Sequence, residues 1–203
     1  MITKYPEISK LIEVFQKLPL VGPKTAEKIA YFIIQTDDKT INEIIESIKD
    51  VKNNLTKCIN CFCLTTQNVN PCSICIDKNR EPIICVVQEF KDQLLIEESI
   101  NFSGKYHALE GLINPIEGKT PDKLKIKELI ERIKRENIKE IVFAIPSSID
   151  GDITVEYISE KIKKSLDGII LSRIAVGIPA GSELENIDKI TLTNAINNRK
   201  KIE

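Results

Sequence analysis

Cys58-Ile-Asn-Cys61 and Cys72-Ser-Ile-Cys75, separated by ten residues, decide how this chain is organised. Two C-x-x-C pairs can place four thiolates around one tetrahedral Zn²⁺, because each pair turns back so that both of its sulfurs face the metal. Two disulfides or reduced core cysteines are the alternatives. A closed set of four cysteines leaves the metal no open coordination position, so we expect a structural Zn²⁺ rather than a catalytic one.

Two further cysteines and the single histidine lie outside this pattern. Cys63 follows Cys61 closely enough to compete as a ligand, whereas Cys85 lies in an apolar run and is predicted to be a small buried hydrophobe. We assign the metal to the four paired cysteines alone. His107 is predicted to be a buried or hydrogen-bonded structural residue.

Composition limits the class of protein. The chain has 203 residues, 42% of them hydrophobic, which is typical of a globular protein with a real core. The 29 basic and 30 acidic residues argue against binding of nucleic acid by overall charge, but they do not exclude a local basic face. The sequence shows neither an apolar signal segment nor a run of about 18 apolar residues. We therefore expect a cytoplasmic protein with reduced thiols and no membrane partner.

The first 57 residues are predicted to be helical. Apolar residues at helical spacing predict a first helix over about residues 6–18 and a second helix from Pro23. Pro23 suits a first helical position, and Gly22 is expected to provide a backbone conformation closed to other residues. Thr40-Ile-Asn-Glu43 has the pattern of a capping box and predicts the start of a third helix.

The turn between the first two helices resembles the helix-hairpin-helix DNA-binding motif. In that motif, glycines let backbone N–H groups at a helix N-terminus approach a phosphate, and lysines add sequence-independent attraction. Gly22, Lys24 and Lys28 are the corresponding candidates, and the two lysines share one helical face. Leu20 departs from the motif, which commonly has its first glycine there. An ordinary two-helix corner with solvated lysines is the alternative.

The C-terminal half alternates between strand and helix patterns. Apolar runs at 83–87 and 140–145 predict strands buried on both faces, and residues 169–175 predict a further strand. Apolar periodicity predicts helices at 124–136 and 154–166. This alternation is typical of a parallel sheet, whose functional sites lie at the carboxyl ends of the strands.

Ile149-Asp-Gly-Asp-Ile-Thr154 follows one of these strands and resembles the Asp-x-Asp signature of the Toprim fold. The resemblance implies that Asp150 and Asp152, with a glutamate at the end of the first strand, hold Mg²⁺. Gln88 stands at the position of that glutamate, and its neutral amide brings no charge to a metal. Glu89 can replace it only if the strand has already ended. Mg²⁺ binding therefore stays open.

Taken over nearly its whole length, the chain resembles the RecR family of bacterial recombination proteins. The resemblance rests on the order of these segments and on four strings: Leu18-Pro19 with Val21-Gly22-Pro23-Lys24, Ile84-Cys-Val-Val87, Gly104-Lys-Tyr-His-Ala-Leu109, and Gly177-Ile-Pro-Ala-Gly-Ser-Glu-Leu-Glu185. It implies a multidomain α and α/β fold. The segments are a helical helix-hairpin-helix domain at 1–57, a four-cysteine zinc module at 58–80, a Toprim-like domain with a mainly parallel sheet at 81–178, and a short C-terminal tail at 179–203.

The same resemblance implies a non-enzymatic, nucleoid-associated mediator of recombinational DNA repair. Such a protein forms a ring-shaped homo-oligomer around DNA and acts with RecO and RecF to load RecA onto single-stranded gaps coated with SSB. Lys24 and Lys28 would contact the DNA, while Asp150 and Asp152 would contact a partner or bind a metal weakly. The competing hypothesis is a Mg²⁺-dependent Toprim enzyme, a nuclease or primase-like protein, motivated by the two aspartates.

Overall fold

The computed structural model describes residues 5–100 and 102–199. The chain divides into two compact units, Met1–Asn54 and Leu55–Glu203. The segment with the four paired cysteines and the segment with the sheet both belong to the second unit, and the finer four-part division stays a prediction. None of the described helices is long and apolar enough to cross a membrane.

The first unit is helical, as predicted. Its helices are α1 (Pro6–Phe15), α2 (Pro23–Gln35) and α3 (Asp38–Asn54). Buried Ala26 and Ala30 share one face of α2. Small residues on a buried face allow a neighbouring helix to approach closely, and the opposite face of α2 remains available to solvent.

In the turn before α2, the residue with the left-handed backbone conformation is not the one that was predicted. Gly22 has φ −81° and ψ 173°, an extended conformation open to any residue, so the expectation for Gly22 is wrong. Leu20 has the positive φ, 64°. The turn is closed by Val21 N–H, which donates to Leu18 O at 3.2 Å, and Leu20 occupies the third of the four turn positions, where a type II turn requires positive φ.

Helix α3 begins before the predicted capping box. Asp37 Oδ1 accepts from Thr40 N at 3.0 Å, and Asp37 Oδ2 accepts from Thr40 Oγ1 at 2.9 Å. These bonds from Thr40 lower the pKa of the Asp37 carboxyl. The helix start is therefore fixed by Asp37, and the prediction that Thr40 caps it is wrong.

The second unit contains a small ribbon and a larger sheet. Strands β1 (Leu55–Lys57) and β2 (Leu64–Thr66) pair antiparallel, and the short helix α4 (Ser73–Ile76) follows them. The larger sheet has four strands in the order β4-β3-β5-β6, all parallel, which confirms the predicted parallel sheet. Its strands are β3 (Ile83–Val87), β4 (Lys105–Ala108), β5 (Glu140–Ala144) and β6 (Ile170–Arg173).

Helices connect the parallel strands. They are α5 (Phe90–Ser99), α6 (Ile126–Glu136) and α7 (Ile149–Ser165), and α8 (Lys189–Asn197) lies in the predicted C-terminal tail. Ile84 and Phe143 of the central strands pack with Leu129 of α6 and Ile158 of α7 in one fully buried cluster. Because β3 and β5 are covered on both faces, their sequences are nearly continuous apolar runs.

Helix α7 starts five residues earlier than predicted. Ser148 precedes it, and Ser148 Oγ accepts from Gly151 N at 3.2 Å as an N-terminal cap. Asp150, Gly151 and Asp152 therefore form the first turn of a helix rather than a loop after β5. Carboxylates in a first turn are favoured by the helix dipole, so their position also has a structural reason.

Candidate functional site

The structure brings the four paired cysteines together. Their sulfurs all lie within 4.8 Å of one another, and all four residues are buried. Cys58 Sγ is 3.8 Å from Cys75 Sγ, and Cys61 Sγ is 3.7 Å from Cys72 Sγ. Four sulfurs at about 2.3 Å from a tetrahedral Zn²⁺ would be about 3.8 Å apart, so this donor set fits the ion. The sulfurs are too far apart for disulfides, and all the cysteines are free.

Backbone hydrogen bonds build the cluster from the two C-x-x-C pairs. The first pair lies between β1 and β2, where Cys58 N donates to Cys63 O at 2.8 Å and closes the ribbon. The second pair lies at α4, which begins after Cys72 and contains Cys75. Cys72 N donates to Cys58 Sγ at 3.3 Å, so an amide of one pair stabilises negative charge on a sulfur of the other.

The two remaining thiols are buried beside the cluster. Cys63 Sγ lies 3.7 Å from Cys61 O, and Cys63 is not among the four residues that can share a metal. Cys85 lies on β3, and burial raises the pKa of its thiol to about 12. A thiol with such a pKa is protonated at neutral pH and unreactive, so the prediction of Cys85 as a small buried hydrophobe is confirmed.

Arg132 is the charged residue at this cluster that the sequence reasoning missed. Its side chain is only 1% exposed, and Nη2 lies 3.4 Å from Cys75 Sγ. Nη1 donates to Tyr106 O at 2.6 Å, and Nε donates to Glu136 Oε1 at 2.8 Å. A sequence signal was present, because Arg132 falls three residues after Leu129 on the apolar face of α6, where a cation requires a partner.

Hydrogen bonds from Arg132, Cys61 and Arg80 cover one edge of the sheet. Strand β4 is terminal in the strand order, so alternate backbone groups of β4 point away from β3. Tyr106 O is covered by Arg132, as described above. Ala108 N donates to Cys61 O at 2.8 Å, and Gly104 O accepts from Arg80 Nη1 at 3.0 Å. The cysteine cluster is thus attached to the outer side of β4 by hydrogen bonds.

His107 is a structural residue, as predicted. It is fully buried on β4, and its Nε2 lies 2.8 Å from Lys125 O. Burial lowers the pKa of His107 to about 4, although the contact with Lys125 O opposes this shift. The imidazole is therefore neutral at physiological pH, and its Nε2 carries the proton that it donates to Lys125 O.

The acidic pair of α7 is engaged by other side chains. Asp150 Oδ2 accepts from Asn114 Nδ2 at 2.9 Å, and Asp152 Oδ1 accepts from Arg173 Nη1 at 2.7 Å. Arg173 is itself held because its Nη2 donates to Pro146 O at 2.9 Å. Within residues 5–100 and 102–199, the four cysteines form the one group of histidine, cysteine and acidic residues placed to share a metal.

The position expected to supply a third acid has another arrangement. Strand β3 ends before Gln88, and Gln88 O accepts from Glu110 N at 2.9 Å. Glu89 precedes the first residue of α5 and forms a capping box with Asp92, so its carboxylate binds the backbone of that helix. Lys91 Nζ also lies 3.0 Å from Glu89 Oε2. Among the described residues, Glu89 is therefore not placed to share a metal with the pair on α7.

The helical hairpin presents an exposed helix N-terminus. Gly22, Lys24 and Lys28 are exposed, and no side chain caps α2 within the part of the chain that the structure describes. A Cβ on Gly22 would meet nothing within 4 Å, so the space in front of this helix end is open. Neither lysine has an acidic partner among the described residues. The positive end of the helix dipole, the unpaired lysines and the open space are together typical of a site that binds an anion.

Comparison with known families identifies three matching segments. The model of the helix-hairpin-helix of RecR matches residues 8–52, and the Toprim domain model matches residues 82–175. The model of the RecR C-terminal region matches residues 177–200. Together they cover the hairpin, the parallel sheet and the C-terminal helix.

Two curated relatives match the chain along its length. A recombination protein RecR from Natranaerobius thermophilus is 39% identical over 203 residues, which is 99% of this chain and 100% of the relative. A recombination protein RecR from Prochlorococcus marinus is also 39% identical over 203 residues, with 100% of both chains covered. With the hairpin, the cysteine cluster and the parallel sheet in one chain, these matches confirm the resemblance seen in the sequence: this chain belongs to the RecR family of recombination proteins.

Proposed function

We propose that this chain is a DNA-binding mediator of recombinational repair that contacts DNA through the hairpin of its first unit. The observation that carries this proposal is the exposed, uncapped N-terminus of α2 with Lys24 and Lys28 beside it. Membership of the RecR family supplies the biological setting, because the relatives are named recombination proteins.

The chemistry of the hairpin suits the DNA backbone rather than the bases. Backbone N–H groups of a first helical turn bind one phosphate, and Gly22 has no side chain to obstruct its approach. Lys24 and Lys28 lie one turn apart and neutralise neighbouring phosphates. Such contacts do not read sequence, which fits a protein that must act wherever a gap occurs.

Assembly would compensate for the limited surface that each hairpin offers to DNA. The net charge of the chain is −1, so one copy binds DNA only through its local basic face. In a ring-shaped homo-oligomer, several hairpins act on the same strand, and the joint affinity exceeds that of any one hairpin. We propose such a ring as the nucleoid-associated form, acting with RecO-like and RecF-like proteins to load RecA onto SSB-coated gaps.

The other two predicted sites have supporting roles in this proposal. Zn²⁺ held by Cys58, Cys61, Cys72 and Cys75 would be structural, because four sulfurs fill its coordination and leave no position for a substrate. Asp150 and Asp152 would offer an acidic surface to a protein partner. Both carboxylates already accept hydrogen bonds from other side chains of the protein, so we propose that they take no part in a catalytic reaction.

A double charge reversal tests the DNA contact. Lys24→Glu with Lys28→Glu should weaken binding of short single-stranded and double-stranded oligonucleotides, measured by fluorescence anisotropy at two salt concentrations. The slope of log affinity against log salt should also fall, by roughly one for each phosphate that the variant no longer neutralises. Lys39→Glu with Lys52→Glu is the matched control, because it places the same charge change at exposed positions of α3. Mass in solution verifies that both variants assemble like the native protein. Undiminished binding by the hairpin variant would refute the proposal.

A further inference from the structure

We infer that Arg132 is a positioning residue of the metal centre, whose guanidinium holds the Cys75 sulfur and the outer edge of β4 together. This inference rests on the proposed Zn²⁺ site. It is carried by the polar partners of one buried side chain: Nη2 to Cys75 Sγ at 3.4 Å, Nη1 to Tyr106 O at 2.6 Å, and Nε to Glu136 Oε1 at 2.8 Å.

Charge gives the first reason. A Zn²⁺ with four thiolates carries two net negative charges, and all four cysteines here are buried. Buried charge is costly unless it is paired, and water solvates these sulfurs poorly because each of the four cysteines is at most 8% exposed. The guanidinium of Arg132 brings one positive charge into contact with Cys75. It would therefore stabilise the metal-bound thiolates more than the metal-free thiols.

The requirements of Arg132 give the second reason. A guanidinium has five N–H donors and keeps its charge, so an arginine that is 1% exposed needs acceptors on several sides. Glu136 satisfies one side, and Lys105 Nζ shares that carboxylate at 3.2 Å from Oε2. The Cys75 sulfur and the Tyr106 carbonyl satisfy the others. A thiolate at Cys75 is therefore the acceptor that completes the environment of this cation.

The simpler explanation is that Arg132 only joins α6 to β4 through Glu136 and Tyr106. The two explanations differ in what a change at Arg132 does to the metal. A joining role predicts lower stability with unchanged metal affinity of the folded protein. A positioning role predicts weaker metal binding and altered sulfur–metal electronic transitions, because a hydrogen bond to a ligand sets its orientation and donor strength.

Arg132→Met and Arg132→Lys test the inference in the full-length protein. Zn²⁺ affinity is measured by competition with a coloured chelator, after circular dichroism has shown that each variant is folded. Arg132→Met should bind Zn²⁺ roughly ten- to a hundredfold more weakly, and Arg132→Lys should recover part of the loss. Lys134→Met, an exposed position on the same helix, is the matched control and should leave the affinity unchanged.

Cobalt substitution supplies a readout that a joining role would not change. The sulfur-to-cobalt charge-transfer band should move to longer wavelength in Arg132→Met. A hydrogen bond to a thiolate lowers the energy of the sulfur orbital that donates the electron, so losing that bond lowers the energy of the transition. A folded Arg132→Met protein with native metal affinity and an unmoved band would overturn the inference. A native protein that binds no metal would instead refute the proposed Zn²⁺ site itself.

A measurement on the native protein covers the case in which Arg132→Met does not fold. With ¹¹³Cd²⁺ in place of Zn²⁺, a proton of the Arg132 guanidinium should show coupling to the metal through the N–H···S hydrogen bond. The Arg132→Lys spectrum assigns that signal by its disappearance. Absence of any such coupling to arginine side-chain protons would count decisively against the inference.

Discussion

Arg173 Nη1 lies 2.7 Å from Asp152 Oδ1, so the second aspartate of the acidic pair is bound by a cation of the same chain. Asn114 Nδ2 occupies an oxygen of Asp150 in the same way, at 2.9 Å. To bind here, a Mg²⁺ ion would have to displace these donors from the carboxylates. It would also have to give up some of its tightly held water ligands. The arrangement therefore favours a surface with fixed carboxylates over a metal-dependent reaction centre.

The first prediction concerns magnesium. Calorimetry should show no binding of Mg²⁺ at millimolar concentration, whereas Arg173→Gln should bind it more tightly because Asp152 is then free of its cation. Arg135→Gln, a change of the same kind on α6, should behave like the native protein. Metal-dependent cleavage of DNA that is abolished in Asp152→Asn would contradict this prediction and support the Toprim enzyme.

The second prediction concerns Gly151, which lies between the two aspartates. A Cβ at this position would overlap Pro146 O and would lie 3.2 Å from Ser148 Oγ. Gly151→Ala should therefore destabilise the protein by about 1–3 kcal/mol, since backbone must move to accommodate the methyl group. Chemical denaturation measures the change. Gly177→Ala, where a Cβ meets nothing within 4 Å, should change the free energy of unfolding by less than about 0.5 kcal/mol.

The third prediction concerns pH and His107. The folded-state pKa is about 4, against 6.5 for an unperturbed histidine, so the unfolded chain binds the proton more readily. Neutral His107 therefore makes its full contribution to the free energy of unfolding above about pH 6.5. This contribution falls as the pH decreases and is lost by about pH 4, which lowers the free energy of unfolding by about 3 kcal/mol. Denaturant unfolding at about pH 7.5 and at about pH 5.5 measures this effect. The free energy of unfolding should be about 1 kcal/mol lower at the lower pH because of His107.

The control for this pH effect is His107→Gln. The variant lacks the titrating imidazole and should lose about 1 kcal/mol less over the same interval, whatever its absolute stability. Carboxylates and thiols are the same in both proteins, so their effects cancel in the comparison. Equal losses in the two proteins would show that His107 is not held neutral.

The fourth prediction concerns the metal. Elemental analysis should find about one Zn²⁺ per chain, and chelation should unfold the segment around the four cysteines, because binding by such sites supplies of the order of 10 kcal/mol of folding free energy. Cys72→Ser with Cys75→Ser should lose the ion. Cys63→Ala should keep it, since Cys63 is not among the four close cysteines. A metal-free protein that folds normally would overturn the ligand assignment.

The fifth prediction concerns the strained turn before α2. Leu20 combines full exposure with φ 64°, so its side chain gains nothing from packing while its backbone occupies a region that favours glycine. Leu20→Gly should be more stable than Leu20→Ala by about 1 kcal/mol, because alanine meets the same steric cost as leucine. Hydrogen exchange of α1 and α2 amides in the full chain measures the difference. Equal protection in the two variants would argue against strain at this turn.

The sequence predicted the central strands and the cysteine cluster well, for physical reasons. Strands β3 and β5 are buried on both faces, so their apolar runs stand out without any knowledge of their neighbours. The cysteines are identified by spacing alone, because a C-x-x-C pair carries its geometry within four residues. Helix α2 is equally clear, since Pro23 sets its first turn.

Other elements could not be predicted because their patterns depend on tertiary contacts. Strand β4, Lys105-Tyr-His-Ala108, contains polar residues whose burial depends on partners elsewhere in the chain, such as Lys125 O for His107. The predicted start of α7 is too late because it rests on the apolar periodicity at 154–166, whereas the helix begins at Ile149 and Gly151 allows its first turn to approach Pro146 closely. The place of Arg132 on the apolar face of α6 indicates that it needs a partner, but nothing local to α6 indicates that this partner is Cys75.

The hydrogen bonds on the outer side of β4 have a consequence for the protein in the cell. An uncovered strand edge offers unpaired N–H and C=O groups to any other chain with a free edge. Here the cover at Ala108 comes from Cys61, and the cover at Tyr106 comes from Arg132, which also contacts Cys75. This cover thus depends in part on residues of the cysteine cluster. If the proposed Zn²⁺ site is correct, a cell starved of zinc would lose this cover, and the protein would aggregate through this edge although Lys24 and Lys28 of the hairpin are unchanged.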